Sequence, residues 1–315
     1  MTAVAAPSVP PAMVPSPRPA CPLCGASEAK PSWLGSTVYG GRTYAYVQCE
    51  DCRSLYCDPM PAADVLSRMY GSEYQAILAD PAEGGEREIA RVVQLLAAGD
   101  RTGTGTFVDY GCGRGRLVQE AARLGWRAIG VEFDERVAAS VARATGLRVI
   151  GHHEALPSLR GCVDVLHLGD VIEHLAAVDE ELPGIVDLMA PGGTLIARGP
   201  LEGNRNLFTL VLKIARTLAG SRTSAMPPYH VMLATAEGQR RLFTRFGLTV
   251  SQFDVSEVSW PAAPRLGWGE LGSPRVVGMF VLRLLSRFVS AIVGRDWGNR
   301  YFCTAVGSSR VAARA

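Results

Sequence analysis

Residues 106–115 read TFVDYGCGRG, a short apolar strand that runs directly into a glycine-rich turn. The turn contains Gly111, Gly113 and Gly115, and glycines let a backbone bend tightly and approach a ligand without a clash from Cβ. Arg116–Leu124 follows with apolar residues at helical spacing, and Gly125 is a typical helix stop. A strand, a glycine turn and a helix start place backbone N–H groups against a bound cofactor. The stretch therefore predicts a cofactor-binding α/β fold.

The spacing of the glycines separates this turn from the nicotinamide fingerprint. That fingerprint has a third glycine three residues after the second, and here Arg116 stands in that place. A second strand, Ala128–Val131, ends at Glu132, with Phe133 next to it. A carboxylate at the end of that strand can accept both ribose hydroxyls of a nucleoside. These features favour a nucleoside cofactor other than a nicotinamide.

Two later segments extend the pattern, VDVLHLGDVIEHL at 163–175 and LMAPGGTLIARGP at 188–200. With the glycine turn and Glu132, the chain resembles the class I S-adenosylmethionine-dependent methyltransferases, in their small-molecule, ubiquinone-type branch. The resemblance implies a doubly wound, Rossmann-like α/β fold, with a seven-stranded sheet and helices on both faces. It also implies S-adenosylmethionine as the cofactor and S-adenosylhomocysteine as the product.

The resemblance implies cofactor contacts at the carboxyl ends of the strands. His152 stands where the family often has an Asp that contacts the adenine amino group, and a neutral imidazole can accept a hydrogen bond there. Gly169 and Asp170 end the fourth strand of the fold. The implied cofactor-binding residues are Asp109, Gly111, Cys112, Gly113, Gly115, Glu132, Phe133, His152, His153, Gly169 and Asp170.

Two Cys-x-x-Cys pairs precede this region, Cys21/Cys24 and Cys49/Cys52, with 24 residues between the pairs. Such pairs can place four thiolates at the corners of the tetrahedron that Zn²⁺ prefers. The sequence pattern of the intervening residues predicts a β-hairpin that turns at Gly40-Gly41. We expect a zinc-ribbon-like module with one structural zinc, the alternative being four unrelated buried thiols. Cys57 is expected to be a spare buried thiol.

Composition limits the remaining choices. The 315 residues suffice for one large domain and a small module. A net charge of +2 argues against nucleic acid as a partner. Eight cysteines without a recognisable secretory signal favour a cytoplasmic protein with reduced thiols. The apolar run Val276–Val293 is interrupted by two arginines, so we expect a buried or amphipathic helix, and at most peripheral membrane contact.

The chain divides into consecutive regions. We expect a disordered Pro-rich tail at 1–20, the four-cysteine zinc-binding module at 21–58, a helical connector covering the cofactor cleft at 59–103, and the methyltransferase domain at 104–315. Within that domain, 201–230 is a candidate substrate-lid insertion. It contains a basic amphipathic helix, Leu207–Leu218, that can cap the substrate cleft, touch a membrane surface or pack as core.

The expected activity is methyl transfer to a small-molecule acceptor with apolar character, at a hydroxyl. His230, in a Pro-Pro-Tyr-His loop resembling the family's Pro-x-His loop, is the first candidate general base, and His174 is the second. A reaction without a side-chain base stays open.

Two alternatives compete with this reading. An RNA methyltransferase would use an aromatic and basic face of the four-cysteine module for RNA contact. A cofactor-binding interaction protein would bind S-adenosylmethionine without turnover. The aromatic and basic face that would contact RNA consists of Lys30, Trp33, Tyr39, Arg42, Tyr44 and Tyr46.

Overall fold

The computed structural model describes residues 20–69, 83–99, 104–219, 223–224, 227–258, 273–294 and 296–307. The expected Pro-rich tail lies outside the described residues, apart from Ala20. Within the described ranges the strands are β1 (Ala29–Tyr39), β2 (Arg42–Cys49), β3 (Leu55–Asp58), β4 (Thr106–Tyr110), β5 (Arg127–Glu132), β6 (Val149–Gly151), β7 (Val163–Gly169), β8 (Met189–Pro200), β9 (Thr223–Ser224), β10 (Met232–Leu233), β11 (Leu248–Ser256) and β12 (Arg300–Gly307). The helices are α1 (Ala63–Met69), α2 (Glu83–Ala98), α3 (Arg116–Arg123), α4 (Glu135–Thr145), α5 (His152–Ser158), α6 (Val178–Val186), α7 (Leu207–Ala219), α8 (Ala236–Arg245) and α9 (Pro274–Val293).

A seven-stranded sheet forms the centre of the molecule, in the order β11-β12-β8-β7-β4-β5-β6. Strands β4 to β8 are parallel, and β12 lies antiparallel between β8 and β11. All five residues of β4 are buried, as expected for a central parallel strand that is covered on both faces. The predicted doubly wound α/β fold is confirmed.

The strand order reverses at β4. From β4 the chain winds outward through β5 and β6, and it then returns to place β7 and β8 on the other side of β4. Doubly wound sheets bind ligands at such a switch point, at the carboxyl ends of the strands. The glycine turn after β4 and the loop after β7 meet there, because a Cβ on Gly111 would lie only 2.6 Å from Cγ2 of Val171. Gly111 also has a φ of 78°, so only glycine fits this contact.

A second sheet, in the order β10-β3-β2-β1-β9, contains the four-cysteine region. Its β1–β2 pair is the hairpin that the sequence predicts, with Tyr39 opposite Arg42. Its outer strands, β9 and β10, belong to the segment that follows β8. Buried residues of both sheets, such as Cys49, Met232 and Leu168, share one hydrophobic cluster. The four-cysteine region is therefore packed into the rest of the fold, and the boundary at residue 58 stays a prediction.

Helix α2 covers one face of the main sheet. Its Val92 and Leu96 are buried against Phe107, Trp126 and Phe302. The helix therefore contributes directly to the core, and the predicted cover over the cofactor cleft stays a prediction.

A cluster of four charged side chains joins α2 to the sheet. Glu88 accepts hydrogen bonds from Arg198 and Arg300, and both arginines also bind the carboxylate of Asp170. The side chains of Glu88, Arg198 and Arg300 are at most 16% exposed. Two positive and two negative charges thus neutralise each other with little help from water.

Replacing Glu88 by Gln should destabilise the fold, because Asp170 alone would then neutralise two buried guanidinium groups. We expect the free energy of unfolding to fall by about 3 kcal/mol in denaturant titrations. The matched control is Glu120→Gln, whose exposed pair with Arg123 should contribute less than about 1 kcal/mol. Equal effects of the two substitutions would show that the cluster does not stabilise the sheet.

Candidate active site

The glycine turn and Glu132 face each other across the ends of β4 and β5. Gly111, Gly113 and Gly115 have φ values of 78°, 52° and 73°, which L-residues with a Cβ rarely adopt. Oε1 of Glu132 accepts a hydrogen bond from the backbone N–H of Gly113. Burial raises the pKa of Glu132 to about 7, although this hydrogen bond opposes the shift. A carboxylate in this position can accept the hydroxyls of a ribose.

Asp109, at the end of β4, points into the sheet. Its Oδ1 lies 2.7 Å from Nδ1 of His167 on the neighbouring strand β7, and its residue surface is only 4% exposed. Oδ1 of Asp109 is thus engaged by His167, and the implied role of Asp109 in cofactor binding stays a prediction. The pair fixes β4 to β7 directly beneath the glycine turn. Cys112, within the turn, is also buried.

Aromatic rings gather at the start of α5. His152 lies between Phe133 and His153, with ring-centroid distances of 5.7 and 4.8 Å, and its Nδ1 contacts the hydroxyl of Tyr110. Burial lowers the pKa of His152, and so does the charge of His153. The ring is therefore neutral near pH 7, as an acceptor for an adenine amino group must be. Exposed Phe133 offers an apolar surface to a nucleobase.

Gly169 and Asp170 lie at the end of β7. Gly169 is closely packed, since a Cβ there would be 2.6 Å from Cε1 of His167. Burial opposes ionisation of Asp170, but Arg300 and Arg198 outweigh it and hold the pKa of this carboxyl well below its usual range. Both carboxylate oxygens are bound, at 2.7 Å, by these arginines. The sequence implied that the side chain of Asp170 contacts the cofactor. In the structure, both of its carboxylate oxygens bind arginine side chains instead.

The two histidines that the sequence selected lie together. His174 ends a short 3₁₀ turn, Ile172–His174, and its Nδ1 donates to the backbone carbonyl of Tyr229 at 2.8 Å. Nδ1 of His230 binds Oε2 of Glu202 at 2.7 Å, and the two imidazole rings are 4.9 Å apart. Glu173 Oε1 lies 3.9 Å from Nε2 of His174. Glu173, His174 and His230 each offer one potential ligand atom within 4.8 Å of the others, close enough to bind one cation together.

The pKa values of these groups are separated by their surroundings. Burial and the charge of His230 lower the pKa of His174 to about 3. Burial also opposes a charge on His230, but the charge and hydrogen bond of Glu202 outweigh it and raise the pKa of His230 to about 9. Burial and the charge of Asp170 raise the pKa of Glu173 to about 7. The sequence-based premise that His230 titrates near neutrality is therefore wrong, because Glu202 stabilises its imidazolium.

Sequence reasoning missed the groups that orient His230. Glu202 comes two residues after β8, so the rule that ligands bind at the carboxyl ends of strands could have identified it. The hydroxyl of Tyr46 on β2 donates to the backbone carbonyl of His230 at 2.8 Å. This contact joins residues 184 positions apart, and no local pattern indicates it. The backbone N–H of Val231 donates to the carbonyl of Glu173 at 2.9 Å, which fixes the loop against the 3₁₀ turn.

The four cysteines of the N-terminal region converge. Sγ of Cys21 lies 3.7 Å from Sγ of Cys52, and Sγ of Cys24 lies 3.6 Å from Sγ of Cys49. Four sulfurs about 2.3 Å from a zinc would be about 3.8 Å apart at the corners of a tetrahedron, so the donor set fits this metal. All eight cysteines are free thiols, and spare Cys57 is fully buried as expected.

A family model described as a methyltransferase domain matches residues 82–252, more than half of the chain. The chain belongs to the class I S-adenosylmethionine-dependent methyltransferases. The match includes the parallel strands, the glycine turn, Glu132 and the two histidines. The predicted family and fold class are thus confirmed.

Individual relatives of this methyltransferase match shorter regions. Ubiquinone biosynthesis O-methyltransferase of Caulobacter sp. (strain K31) is 36% identical over 134 residues, which are 38% of this chain and 52% of the relative. Ribosomal protein L11 methyltransferase of Pelotomaculum thermopropionicum is 34% identical over 118 residues, 35% of this chain and 37% of the relative. The chain spans about half the length, or less, of these curated relatives.

The fold is also similar to that of a solved structure. Magnesium protoporphyrin IX methyltransferase from Synechocystis PCC 6803, with bound SAH, aligns with a TM-score of 0.50 at 15% identity. The alignment covers 78% of this chain and all of the other. At this identity the similarity concerns the fold alone.

The raised pKa of Glu132 predicts a pH-dependent affinity for S-adenosylmethionine. An ionised Glu132 that accepts two ribose hydroxyls would raise the affinity by up to about tenfold between pH 6 and 8, as the carboxyl ionises around its pKa of about 7. Calorimetry across this range measures the effect. Glu132→Gln should bind weakly and lose this dependence, which separates it from titration of the cofactor's own α-amino group. An unchanged profile in Glu132→Gln would remove Glu132 from the site.

Proposed function

We propose that this chain transfers a methyl group from S-adenosylmethionine to a hydroxyl of a small-molecule acceptor with apolar character. The observation that carries the proposal is the position of the His174–His230 pair, at the same edge of the sheet as the glycine turn and Glu132. The O-methyltransferase name of the Caulobacter relative supports oxygen as the accepting atom. The proposed setting is the cytoplasm, whose reducing conditions keep cysteines available as thiols and metal ligands.

The cofactor supplies a methyl group that is already activated on a sulfonium, so the protein has to bind, align and desolvate the reactants. In the proposed site, Glu132 accepts the ribose hydroxyls, and His152 and Phe133 hold the adenine. The glycine turn allows close approach of the backbone. Most of the acceleration then comes from alignment of the acceptor oxygen with the methyl group.

His230 is the proposed general base, acting through Nε2. Glu202 orients the ring through Nδ1, as carboxylates orient histidines in other hydroxyl-activating sites. Because its pKa is about 9, the ring must first release its own proton. The fraction of competent enzyme therefore increases with pH up to about that value. His174 stays neutral and fixes the Tyr229 carbonyl beside the base.

The competing functions have less support. For RNA contact the four-cysteine region would need an exposed aromatic and basic face, but Tyr44 and Tyr46 are buried and Lys30 pairs with Glu50. A protein that only binds the cofactor has no use for a cluster of strongly perturbed titratable groups, which is typical of catalytic sites.

We also propose that Cys21, Cys24, Cys49 and Cys52 hold one structural Zn²⁺. Four thiolates complete the tetrahedral coordination and leave no position for catalysis. The hydroxyl of Thr235, at the start of α8, donates to the carbonyl of Cys52 at 2.6 Å, and β10 pairs with β3. The metal would thus stabilise the segment that contains His230.

The proposed function is tested with labelled S-adenosylmethionine and a panel of alkyl phenols and alkyl alcohols. We expect a labelled methyl ether from at least one of them. Label that appears only in added RNA or protein would contradict a small-molecule acceptor.

The proposed base predicts an alkaline pH profile. With the best acceptor of the panel, kcat should rise with pH toward about 9, and His230→Ala should lower kcat by roughly 10²–10⁴-fold. Glu202→Gln should move the acidic limb to lower pH, because the carboxylate no longer stabilises the imidazolium. The control is Glu237→Gln on α8, whose exposed carboxylate binds Arg241 and should leave the profile unchanged.

Two outcomes would contradict the assignment of His230 as the general base. A kcat that does not change between pH 7 and 9 would show that alignment of the reactants alone accounts for catalysis. Activity that is lost in EDTA and restored by Mg²⁺ would replace the base by a cation bound to the same side chains.

The zinc proposal predicts about one Zn²⁺ per chain in protein purified without chelators. Cys49→Ser should lose the metal and unfold at lower temperature, whereas Cys162→Ser, at the exposed cysteine, should keep both properties. Tyr46→Phe should keep the zinc but lower kcat, since it removes the hydrogen bond to the His230 carbonyl. Metal-free protein with unaltered thermal stability would contradict the proposal.

A further inference from the structure

Helix α9 has its polar and apolar faces reversed relative to a helix of a globular core. Arg283 and Ser286 are buried, whereas Phe288 is 64% exposed. The outward residues follow the spacing of one helical stripe, three and four positions apart. They are Val281, Leu284, Leu285, Phe288 and Ile292. The sequence-based alternative of a buried helix is therefore wrong.

Helix α7 adds a second exposed apolar surface. Most of its length from Leu210 to Leu218 is exposed, and Leu218 itself is 83% exposed, so the alternative that it packs as core is also wrong. The two helices contact each other, and their exposed apolar side chains together are here called the α7–α9 face. Contiguous apolar surfaces of this kind mark binding sites for proteins or membranes.

The charges on the two helices indicate what binds there. Together α7 and α9 contain five basic residues and no acidic residue, although the chain as a whole is nearly neutral. Two copies of the face would bring like charges together, whereas the anionic headgroups of a bilayer would neutralise them. The basic residues are Lys213, Arg216, Arg275, Arg283 and Arg287. Arg283 is buried and Arg216 donates to the carbonyl of Leu34, so the charges that bear on the α7–α9 face are those of exposed Lys213 and Arg287.

We propose that the α7–α9 face docks on the surface of a membrane that contains anionic lipids. Its apolar side chains would enter the boundary between headgroups and acyl chains, and Lys213 and Arg287 would meet the phosphates. The proposal concerns a surface distinct from the proposed acceptor site. Both helices are nevertheless close in sequence to residues of that region. Helix α7 begins five residues after Glu202, and α9 is followed by β12, the strand that carries Arg300.

The docking is peripheral. Within the described residues, the 18-residue window Val276–Val293 is apolar and long enough to span a bilayer, with a mean hydropathy of 2.0. However, Ser286 in the middle of α9 donates to Glu257 at 2.7 Å, and Ser290 donates to the carbonyl of Trp297. The chain leaves the main sheet at Ser256 and returns opposite it at Arg300. These contacts hold the inner face of α9 on the protein, so that only its outer stripe is available to lipid.

Sedimentation with vesicles tests the proposal on the full-length protein. Vesicles of phosphatidylcholine with roughly one third phosphatidylglycerol should bind the protein, and added salt should weaken the binding. Vesicles of phosphatidylcholine alone should bind several-fold less. Equal binding to both compositions would overturn the role of the basic residues.

Variants locate the surface. The double variant Leu284→Glu/Phe288→Glu should lose at least about tenfold in vesicle affinity, because it places two carboxylates on the apolar stripe. Lys213→Glu/Arg287→Glu should reduce binding to the anionic vesicles alone. The matched control is Leu95→Glu, an exposed leucine on α2, and it should bind like the wild type.

The readouts separate this proposal from methyl transfer. Each variant should retain its affinity for S-adenosylmethionine, which shows that it is folded, and vesicle binding requires no acceptor. Unchanged vesicle binding of Leu284→Glu/Phe288→Glu would overturn the proposal. Wild-type protein that ignores vesicles but dimerises by light scattering, with the dimer lost in that variant, would assign the face to a second copy instead.

Discussion

The pairing of β10 with β3 brings the two halves of the candidate acceptor site together. A parallel sheet delivers the glycine turn, Glu132 and the Glu173–His174 turn to one edge, because the carboxyl ends of its strands all point there. It cannot by itself place His230, which belongs to a loop after β8. The second sheet holds that loop through β10, through the carbonyl of Val231 and through the hydroxyl of Tyr46. The four-cysteine region thus contributes structurally to a site to which it lends no reactive group.

Electrostatics then distinguish two side chains of the same type. His174 and His230 are in ring contact, yet burial lowers the pKa of one to about 3, and Glu202 raises that of the other to about 9. When the surroundings push the pKa values of two neighbouring groups apart, one group can be protonated and the other neutral at the same pH, so that each has a different role. Beside them, Arg198 and Arg300 keep Asp170 ionised. A permanent negative charge close to His230 further favours its imidazolium.

Local patterns were enough to predict much of this structure. The strand, glycine turn and helix at 106–123 and the spacing of the four cysteines each depend on residues close in sequence. The contacts of Glu88 with Arg300 and of Tyr46 with His230 span 212 and 184 residues, and no short-range signal reports them. The two arginines in the apolar run likewise left a buried or an amphipathic helix open for α9, and only the packing of Arg283 and Ser286 showed which face points inward.

A crystal structure with bound S-adenosylhomocysteine would test most directly whether cofactor and acceptor sites share one edge of the sheet. We expect both ribose hydroxyls within about 3 Å of the Glu132 carboxylate, and the sulfur facing the His174–His230 pair. A nucleoside bound away from Glu132, or a sulfur separated from His230 by the second sheet, would contradict the proposed site.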